Sequence, residues 1–100
     1  MGKLQWAKKP ADKKMTFDDA NNYCKSLGEG WRLPTFSELQ SIFNYKKERL
    51  KKPLSSNWYW SSTNYVDFTS NAWIADLING YVDVVNKCNI NYVWPVRDKT

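Results

Sequence analysis

The order of secondary-structure signals in this sequence of 100 residues predicts an α+β fold. Two capping boxes in the first half each precede a helical pattern of apolar residues, and the second half contains β-rich runs separated by turn residues. One short strand signal comes before the helices. Helices followed by strands, without regular alternation, are typical of α+β domains. We therefore expect a single domain over residues 1–100.

The composition is that of a folded chain. Hydrophobic residues make up 42% of the sequence and aromatic residues 16%, with six Trp and six Tyr, which is more than disordered chains contain. The formal net charge is +5. No apolar run is long enough to span a membrane, and residues 1–6 lack the apolar region of a signal peptide. We expect a soluble domain without membrane insertion, and its cellular location is left open.

The first helix is predicted from about Phe17 to Leu27. Thr16 stands at the N-cap position and Asp19 follows three residues later, which is the pattern of a capping box. Apolar residues then recur at helical spacing, and Gly28 provides the conformation that commonly ends a helix. Thr35 and Glu38 repeat the capping box, so a second helix is predicted to begin there.

Basic residues are concentrated near the end of the second predicted helix, at Lys46, Lys47, Arg49, Lys51 and Lys52. A run of this kind is usually a solvated helix end. It is also able to attract an anionic partner, which gives an alternative function in binding polyanions. Sulfated polysaccharide is then the more plausible partner, and nucleic acid is the less expected one.

Three further strands are indicated by apolar and aromatic residues. They are predicted at Lys3–Ala7, Trp58–Thr63 and Tyr92–Arg97. Pro95 lies inside the last of these runs and cannot donate a backbone hydrogen bond. The last strand is therefore expected at an edge or at a strand end.

The strongest turn signal is Asn79-Gly80, which lies between the alternating runs 73–78 and 81–85. This pair predicts a hairpin with a two-residue type I′ turn, in which both turn residues have positive φ. The predicted register pairs Ile78 with Tyr81, Leu77 with Val82, Asp76 with Asp83, Ala75 with Val84, and Ile74 with Val85.

Strand alternation divides this predicted hairpin into two faces. The expected core face contains Trp73, Ala75, Leu77, Val82 and Val84. The expected outward face contains Ile74, Asp76, Ile78, Tyr81, Asp83 and Val85. Two carboxylates directly opposite each other destabilise a sheet, so the outward face is interpreted as a contact surface for a partner. An ordinary sheet surface, either solvated or covered by a loop, is the main alternative, and a metal or paired-carboxylate site is a minor one.

The residue types also limit the possible chemistry. The sequence contains no His and two cysteines, Cys24 and Cys88, without a CxxC spacing. Catalysis by a His general base and a Cys-based zinc site are therefore excluded, and no Gly-rich phosphate loop is present. We expect no enzyme activity, no metal and no cofactor. A disulfide between the two cysteines is left open.

Several spaced motifs together resemble one known family. They are Tyr23-Cys24-Lys25-Ser26-Leu27-Gly28, Gly30-Trp31-Arg32-Leu33-Pro34-Thr35, Glu38-Leu39, Tyr59-Trp60-Ser61-Ser62-Thr63, Ala72-Trp73, Gly80, Lys87 and Tyr92-Val93-Trp94-Pro95-Val96-Arg97. With these motifs nearly the whole chain resembles the C-terminal domain of Legionella collagen-like protein. The resemblance implies a C-type-lectin-like fold of the formylglycine-generating-enzyme subtype, with a small antiparallel sheet and paired first and last strands.

Two departures limit what the resemblance implies about function. The calcium-binding triplets of true C-type lectins, Glu-Pro-Asn or Gln-Pro-Asp together with Trp-Asn-Asp, are absent. Neither Cys24 nor Cys88 matches the reactive cysteines of formylglycine-generating enzymes. Calcium-mediated sugar binding and catalysis are therefore not carried over to this chain.

The family also includes adhesin-like proteins and the variable proteins of diversity-generating retroelements in phages and bacteria. The resemblance places variable, ligand-contacting positions between Ile74 and Asn91. Together with the outward face it implies a ligand-binding set: Ile74, Asp76, Ile78, Tyr81, Asp83, Val85, Asn86, Asn89 and Asn91. The expected function is non-catalytic recognition of a protein or another surface macromolecule, by a monomer or a trimer.

Overall fold

The computed structural model describes residues 3–47, 58–77 and 79–99. Its elements are β1 (Lys3–Trp6), α1 (Phe17–Ser26), α2 (Phe36–Lys47), β2 (Trp58–Asn64), β3 (Asn71–Asp76), β4 (Val82–Asn86) and β5 (Val96–Lys99). Strands β2, β3 and β4 form an antiparallel sheet in that order, and β1 pairs with β5 in a second sheet. The predicted α+β order is confirmed.

Helix α1 begins where its capping box predicts. The Oγ1 atom of Thr16 accepts a hydrogen bond from the N–H of Asp19 at 3.3 Å, which satisfies one of the free donors of the first turn. Ala20 and Cys24 form the buried side of this helix. The helix ends at Ser26, one residue before the predicted Leu27.

The capping box of α2 is formed by both of its hydrogen bonds. Oγ1 of Thr35 accepts from the N–H of Glu38 at 3.2 Å, and Oε1 of Glu38 accepts from the N–H of Thr35 at 2.8 Å. Leu39 and Ile42 follow on the buried side of the helix. The local sequence therefore fixes the start of α2.

Arg32 joins α2 to the terminal strands. Its guanidinium donates to the two carboxylate oxygens of Glu38 at 2.9 and 3.0 Å and to Asp98 at 3.2 Å. Its backbone exchanges two hydrogen bonds with Val96. Bidentate, charge-assisted hydrogen bonds are among the stronger ones in proteins. The hydrogen bond from Arg32 lowers the pKa of Glu38, and the same bond raises the pKa of Arg32.

The first and last strands pair, as the family resemblance implies. Their antiparallel register places Lys3 opposite Lys99 and Trp6 opposite Val96. The predicted strand Tyr92–Arg97 is wrong in its bounds, because β5 begins only at Val96. The earlier part forms a single bridge between Tyr92 and Tyr59. Pro95 lies between the two pieces and cannot contribute an N–H to either ladder.

The three-stranded sheet has a hydrophobic cluster on each face. On one face Trp60 and Ile74 pack with Ala20 and Cys24 of α1. On the other face the residues that pack with α2 come from β2, β3 and the neighbouring segments; they include Tyr59, Ala75, Leu77 and Trp94. Strand β3 lies between these two clusters, so its residues are buried or half-buried on both faces.

Both cysteines are free thiols, which answers the open question about a disulfide. Cys24 is buried inside the cluster on the α1 side, whereas Cys88 is exposed. Burial raises the pKa of the Cys24 thiol to about 12. Since the thiolate is the reactive form, Cys24 acts as an inert core residue at neutral pH.

Replacing Glu38 by Gln removes a carboxylate that both caps α2 and pairs with Arg32. We expect Glu38→Gln to lower the free energy of unfolding by about 1–2 kcal/mol, as measured by urea denaturation at neutral pH. The control Asp98→Asn alters a side chain that is 68% exposed. It should change the free energy by less than about 0.5 kcal/mol, and an equal loss in both variants would contradict the role given to Glu38.

The same variant has a predicted pH dependence. The pKa of Glu38 is lowered in the folded state, so its stabilisation is complete above the unfolded-state pKa of about 4.3 and is lost as pH falls through the folded-state pKa. The difference in unfolding free energy between wild type and Glu38→Gln should therefore shrink as the pH falls below about 4. Urea denaturation at about pH 3 measures this difference, and a constant value would exclude the linkage.

Candidate ligand-binding surface

The hairpin between β3 and β4 closes through a wider turn than the sequence predicts. The N–H of Gly80 donates to the carbonyl oxygen of Asp76 at 2.8 Å. The Asp76 carboxylate accepts from the N–H and the Nδ2 of Asn79 at 3.4 and 3.3 Å. The φ angle is +78° at Gly80 but is not positive at Asn79. The predicted type I′ turn is therefore wrong, because it requires positive φ at both residues.

The strand register is shifted by two residues as a consequence. The observed pairs are Asn71 with Asn86, Ala72 with Val85, Trp73 with Val84, Ile74 with Asp83, and Ala75 with Val82. The predicted pairs are wrong. Asp83 lies opposite Ile74 and not opposite Asp76, so the expected pair of facing carboxylates does not form. Because the shift is even, each residue keeps the strand face that alternation assigns to it.

The predicted outward face is wrong for the β3 residues. Ile74 and Asp76 are 4% and 2% exposed, and Ile74 packs in the cluster around Trp60. Alternation identifies two faces of a strand, but it does not show whether other elements cover both of them. Val82, which the sequence places in the core, is instead 41% exposed.

Two other members of the predicted ligand-binding set do not extend an exposed surface. Asn91 is 8% exposed, and its backbone exchanges two hydrogen bonds with Met15. Val85 is half-buried and packs against the cluster on the α1 side. Ile78 lies outside the described residues.

The remaining members are exposed just before β4, along it and in the turn that follows it. Tyr81 is 66% exposed, and Asp83, Asn86 and Asn89 are exposed as well. With Val82 they define the β4 surface: Tyr81, Val82, Asp83, Asn86 and Asn89. Oδ1 of Asn86 accepts from the N–H of Cys88 at 2.8 Å, and the Asn86 carbonyl oxygen accepts from the N–H of Asn89 at 3.0 Å. These bonds order the turn that carries the two asparagines.

A groove of about 320 Å³ lies beside the β4 surface. It lies between α2 and the hairpin. Its lining residues are Leu39, Gln40, Phe43, Ala75, Asp76, Gly80 and Val82. Val82 belongs to both the groove and the β4 surface. A partner that contacts the surface can therefore place a side chain in the groove.

The loop between β2 and β3 carries exposed apolar residues that the sequence analysis did not select. Val66 is 86% exposed and Phe68 is 66% exposed. The loop is ordered by backbone hydrogen bonds, and its Ser70 carbonyl oxygen accepts from the N–H of Lys87 at 2.9 Å. This bond places the loop beside the end of β4. A run of polar residues around Val66 and Phe68 hid them from a search for apolar periodicity.

The predicted polyanion-binding patch lies largely beyond what the structure describes. Lys46 and Lys47 end helix α2. Arg49, Lys51 and Lys52 lie outside the described residues. The patch therefore stays a prediction.

Within residues 3–47, 58–77 and 79–99, no group of three or more His, Cys, Asp or Glu side chains is arranged to hold a metal ion. No helix in the same ranges has the length and apolar character needed to cross a membrane.

Comparison with known protein families identifies the chain's relatives. The model of the family described as Lcl C-terminal domain matches residues 1–97. The chain belongs to the Lcl C-terminal domain family. The predicted resemblance to the C-terminal domain of Legionella collagen-like protein is thus confirmed. No curated protein sequence gives a significant match to this family member.

Solved structures show the fold of this Lcl C-terminal domain. The crystal structure of botrocetin matches with a TM-score of 0.62 and 12% identity, over 95% of this chain and 96% of botrocetin. A complex of botrocetin with a mutant von Willebrand factor A1 domain matches with a TM-score of 0.61 and 10% identity, over 93% and 95% of the two chains. The C-type-lectin-like fold is therefore confirmed. At such low identity the likeness concerns the fold alone.

The wider turn makes Gly80 sensitive to substitution. A Cβ atom at Gly80 would lie 2.8 and 2.9 Å from two ring atoms of Phe43, in addition to the strain of its φ of +78°. Gly30 is the matched control, because its φ is +87° and a Cβ there meets nothing within 4 Å. We expect Gly30→Ala to cost about 1 kcal/mol of unfolding free energy and Gly80→Ala at least about 1 kcal/mol more. Urea denaturation checks this, and equal losses would disagree with the observed turn.

Proposed function

We propose that this domain is a non-catalytic recognition domain that binds a protein partner through the β4 surface. The observation that carries the proposal is the exposure of two consecutive residues, Tyr81 and Val82, the second of which lines the groove. Their side chains are 66% and 41% exposed. Tyrosine is enriched in protein interfaces because its ring buries a large area while its hydroxyl keeps a hydrogen bond.

The polar members of the β4 surface complement this apolar pair. Asp83 supplies a negative charge, and the amides of Asn86 and Asn89 supply donors and acceptors. On the neighbouring loop Val66 and Phe68 add apolar area that a folded monomer does not need to expose. An apolar and aromatic patch with polar groups at its margin is the usual anatomy of a protein interface.

The comparisons support a recognition function at the level of the fold. Botrocetin has a C-type-lectin-like fold and is seen in complex with a von Willebrand factor A1 domain. The absence of histidine from this sequence supports the non-catalytic part of the proposal. In this proposal the β4 surface, and not a metal or cofactor, provides the contacts.

A retroelement-diversified variable protein is a more specific form of the same proposal. Such a protein needs variable positions whose side chains can change without loss of the core. Tyr81, Asp83, Asn86 and Asn89 satisfy this requirement because they are exposed, whereas Ile74 and Asp76 are buried. This form requires a template copy of the encoding DNA segment in the neighbouring genome.

Tyr81→Ala tests the proposed function. Wild-type protein is immobilised to capture surface proteins from its source, and the captured partner is purified for affinity measurements. We expect Tyr81→Ala to weaken that affinity at least tenfold, which corresponds to about 1.4 kcal/mol, because an exposed aromatic anchor is removed. Its melting temperature should stay within about 2 °C of wild type. Unchanged affinity, or loss of the fold, would count against the proposal.

A matched pair of smaller substitutions controls for nonspecific apolar contact. Val82 and Leu27 are 41% and 42% exposed, and only Val82 belongs to the β4 surface. Val82→Ala should weaken binding, and Leu27→Ala should leave it unchanged. Asp83→Lys reverses the charge on the β4 surface. Asp76 is not used for this purpose, because it is buried and the same change there would disturb the hairpin turn.

Polyanion binding is a second candidate function. It is favoured by exposed lysines between β1 and α1, at Lys8, Lys9, Lys13 and Lys14, in addition to the predicted patch at Lys46, Lys47, Arg49, Lys51 and Lys52. Clustered lysines attract anionic chains through the field that they create together.

Salt dependence tests this second candidate with heparin as the probe. We expect its affinity to fall steeply as salt rises, because lysines that contact the polyanion release its counterions. The double variants Lys13→Gln with Lys14→Gln, and Lys46→Gln with Lys47→Gln, show which lysines contribute. A flat salt response, measured by titration calorimetry, would exclude polyanion binding.

A further inference from the structure

Among residues 3–47, 58–77 and 79–99, strand β4 forms an edge of its sheet, with backbone groups directed away from β3. The N–H of Asp76 donates to the carbonyl oxygen of Tyr81, and the N–H of Lys87 donates to the carbonyl oxygen of Ser70. Antiparallel strands alternate between residues that bond to the neighbour and residues that do not. The backbone groups that point away from β3 therefore belong to Val82, Val84 and Asn86.

This edge has few of the features that usually prevent strand addition. Protein edges are commonly protected by lysines, prolines or bulges. Strand β4 has the sequence Val-Asp-Val-Val-Asn and pairs with β3 in an unbroken register. Asp83 is its one charged residue, and its Oδ1 accepts from the N–H of Val84 at 2.7 Å. The Asp83 carboxylate thus occupies the N–H of Val84, which is the middle one of the three outward donors of this edge.

The two faces of β4 offer different surroundings to an added strand. Val82 and Val84 lie on the α2 face, where Val82 lines the groove together with Leu39 and Phe43. Asp83 lies on the opposite face and is exposed. Side chains directly opposite each other in neighbouring strands share a face. An added strand would therefore meet apolar surface on one face and a carboxylate on the other.

We propose that the edge of β4 accepts an extended segment of a protein partner with an apolar–basic–apolar sequence pattern. The basic side chain faces Asp83 and gives its carboxylate a charged partner, which releases the N–H of Val84 for backbone pairing. The two apolar side chains lie beside Val82 and Val84, and the one beside Val82 enters the groove. This inference rests on the proposed function, because it specifies how a protein partner binds at the β4 surface.

Strand addition of this type combines two sources of recognition. Backbone hydrogen bonds supply affinity that does not depend on sequence, and alternate side chains supply specificity. Here Asp83 discriminates between segments, because an acidic or apolar residue opposite it leaves the carboxylate on the N–H of Val84. The edge therefore accepts extended segments that place a basic residue opposite Asp83 and excludes most others.

Two synthetic peptides test the proposal on the intact protein. They are acetyl-Ser-Thr-Val-Lys-Val-Thr-Ser-amide and its counterpart with Glu in place of Lys. In an NMR titration the Lys peptide should shift the amide signals of Val82, Val84 and Asn86 more than those of Asp83 and Val85. The Glu peptide should bind at least tenfold more weakly. Equal binding of both peptides, or no shift at the three outward amides, overturns the proposal.

Val84→Pro removes the outward N–H without removing a backbone bond to β3, as edge strands tolerate. It should weaken binding of the Lys peptide at least tenfold, whereas the control Val84→Thr keeps the N–H and should bind normally. If Val84→Pro does not fold, Asp83→Lys replaces it. That variant should reverse the preference, so that the Glu peptide binds more tightly, and an unreversed preference overturns the proposal.

The outcomes separate this inference from the proposed function. If Tyr81→Ala abolishes binding of the protein partner while Val84→Pro leaves both partner and peptide binding unchanged, recognition by the β4 surface stands and strand addition is overturned. If the Lys peptide binds as expected but Tyr81→Ala does not change the affinity for the protein partner, the proposed contact at Tyr81 is overturned and strand addition stands. Self-association of wild type that Val84→Pro abolishes, without peptide binding, would assign the edge to a second copy of the chain.

Discussion

The ion pair between Arg32 and Glu38 connects parts of the fold that are distant in the sequence. Glu38 caps α2, while Arg32 pairs through its backbone with Val96 and reaches Asp98 with its guanidinium. One pair therefore fixes the start of a helix to the sheet formed by β1 and β5. Helix α2 then covers one face of the central sheet and forms a wall of the groove beside β4. The shape of the candidate site depends on this distant contact, because it determines where α2 lies.

Burial of β3 on both faces decides where a ligand can bind. A hairpin with one solvated face would offer residues from both of its strands, whereas the exposed residues in the described part of this hairpin lie on β4 and in the adjoining loops. Asp76 has a structural role and not the ligand-contacting role that the sequence predicts. Its carboxylate lies inside the hairpin and holds Asn79, so it shapes the turn that presents Tyr81 instead of contacting a partner. A buried acid of this kind contributes to recognition only through the geometry that it maintains.

Features of this chain that depend on interactions between residues close in the sequence could be predicted, and features that depend on distant residues could not. The capping motifs that begin at Thr16 and Thr35 each span only four residues, so both helix starts could be predicted. The hairpin depends on a competition between the Asn-Gly preference and the side chain of Asp76, which local propensity does not resolve. The exposed face depends on whether other elements cover the second face of β3, and that is determined by its packing with the distant helix α1. The family resemblance supplied this non-local information for the fold, but not for the side chains of the site.

The pairing of β1 with β5 also determines how the domain can be joined to other polypeptides. Lys3 and Lys99 are cross-strand neighbours, and such partners have Cα atoms only about 5 Å apart. A host protein could therefore carry this domain as an insertion within one of its surface loops, with little separation of the two loop ends. The domain would then be attached by two adjacent strands, which restrict its rotation more than a single tether does. A modular architecture of this kind could orient the β4 surface relative to its host.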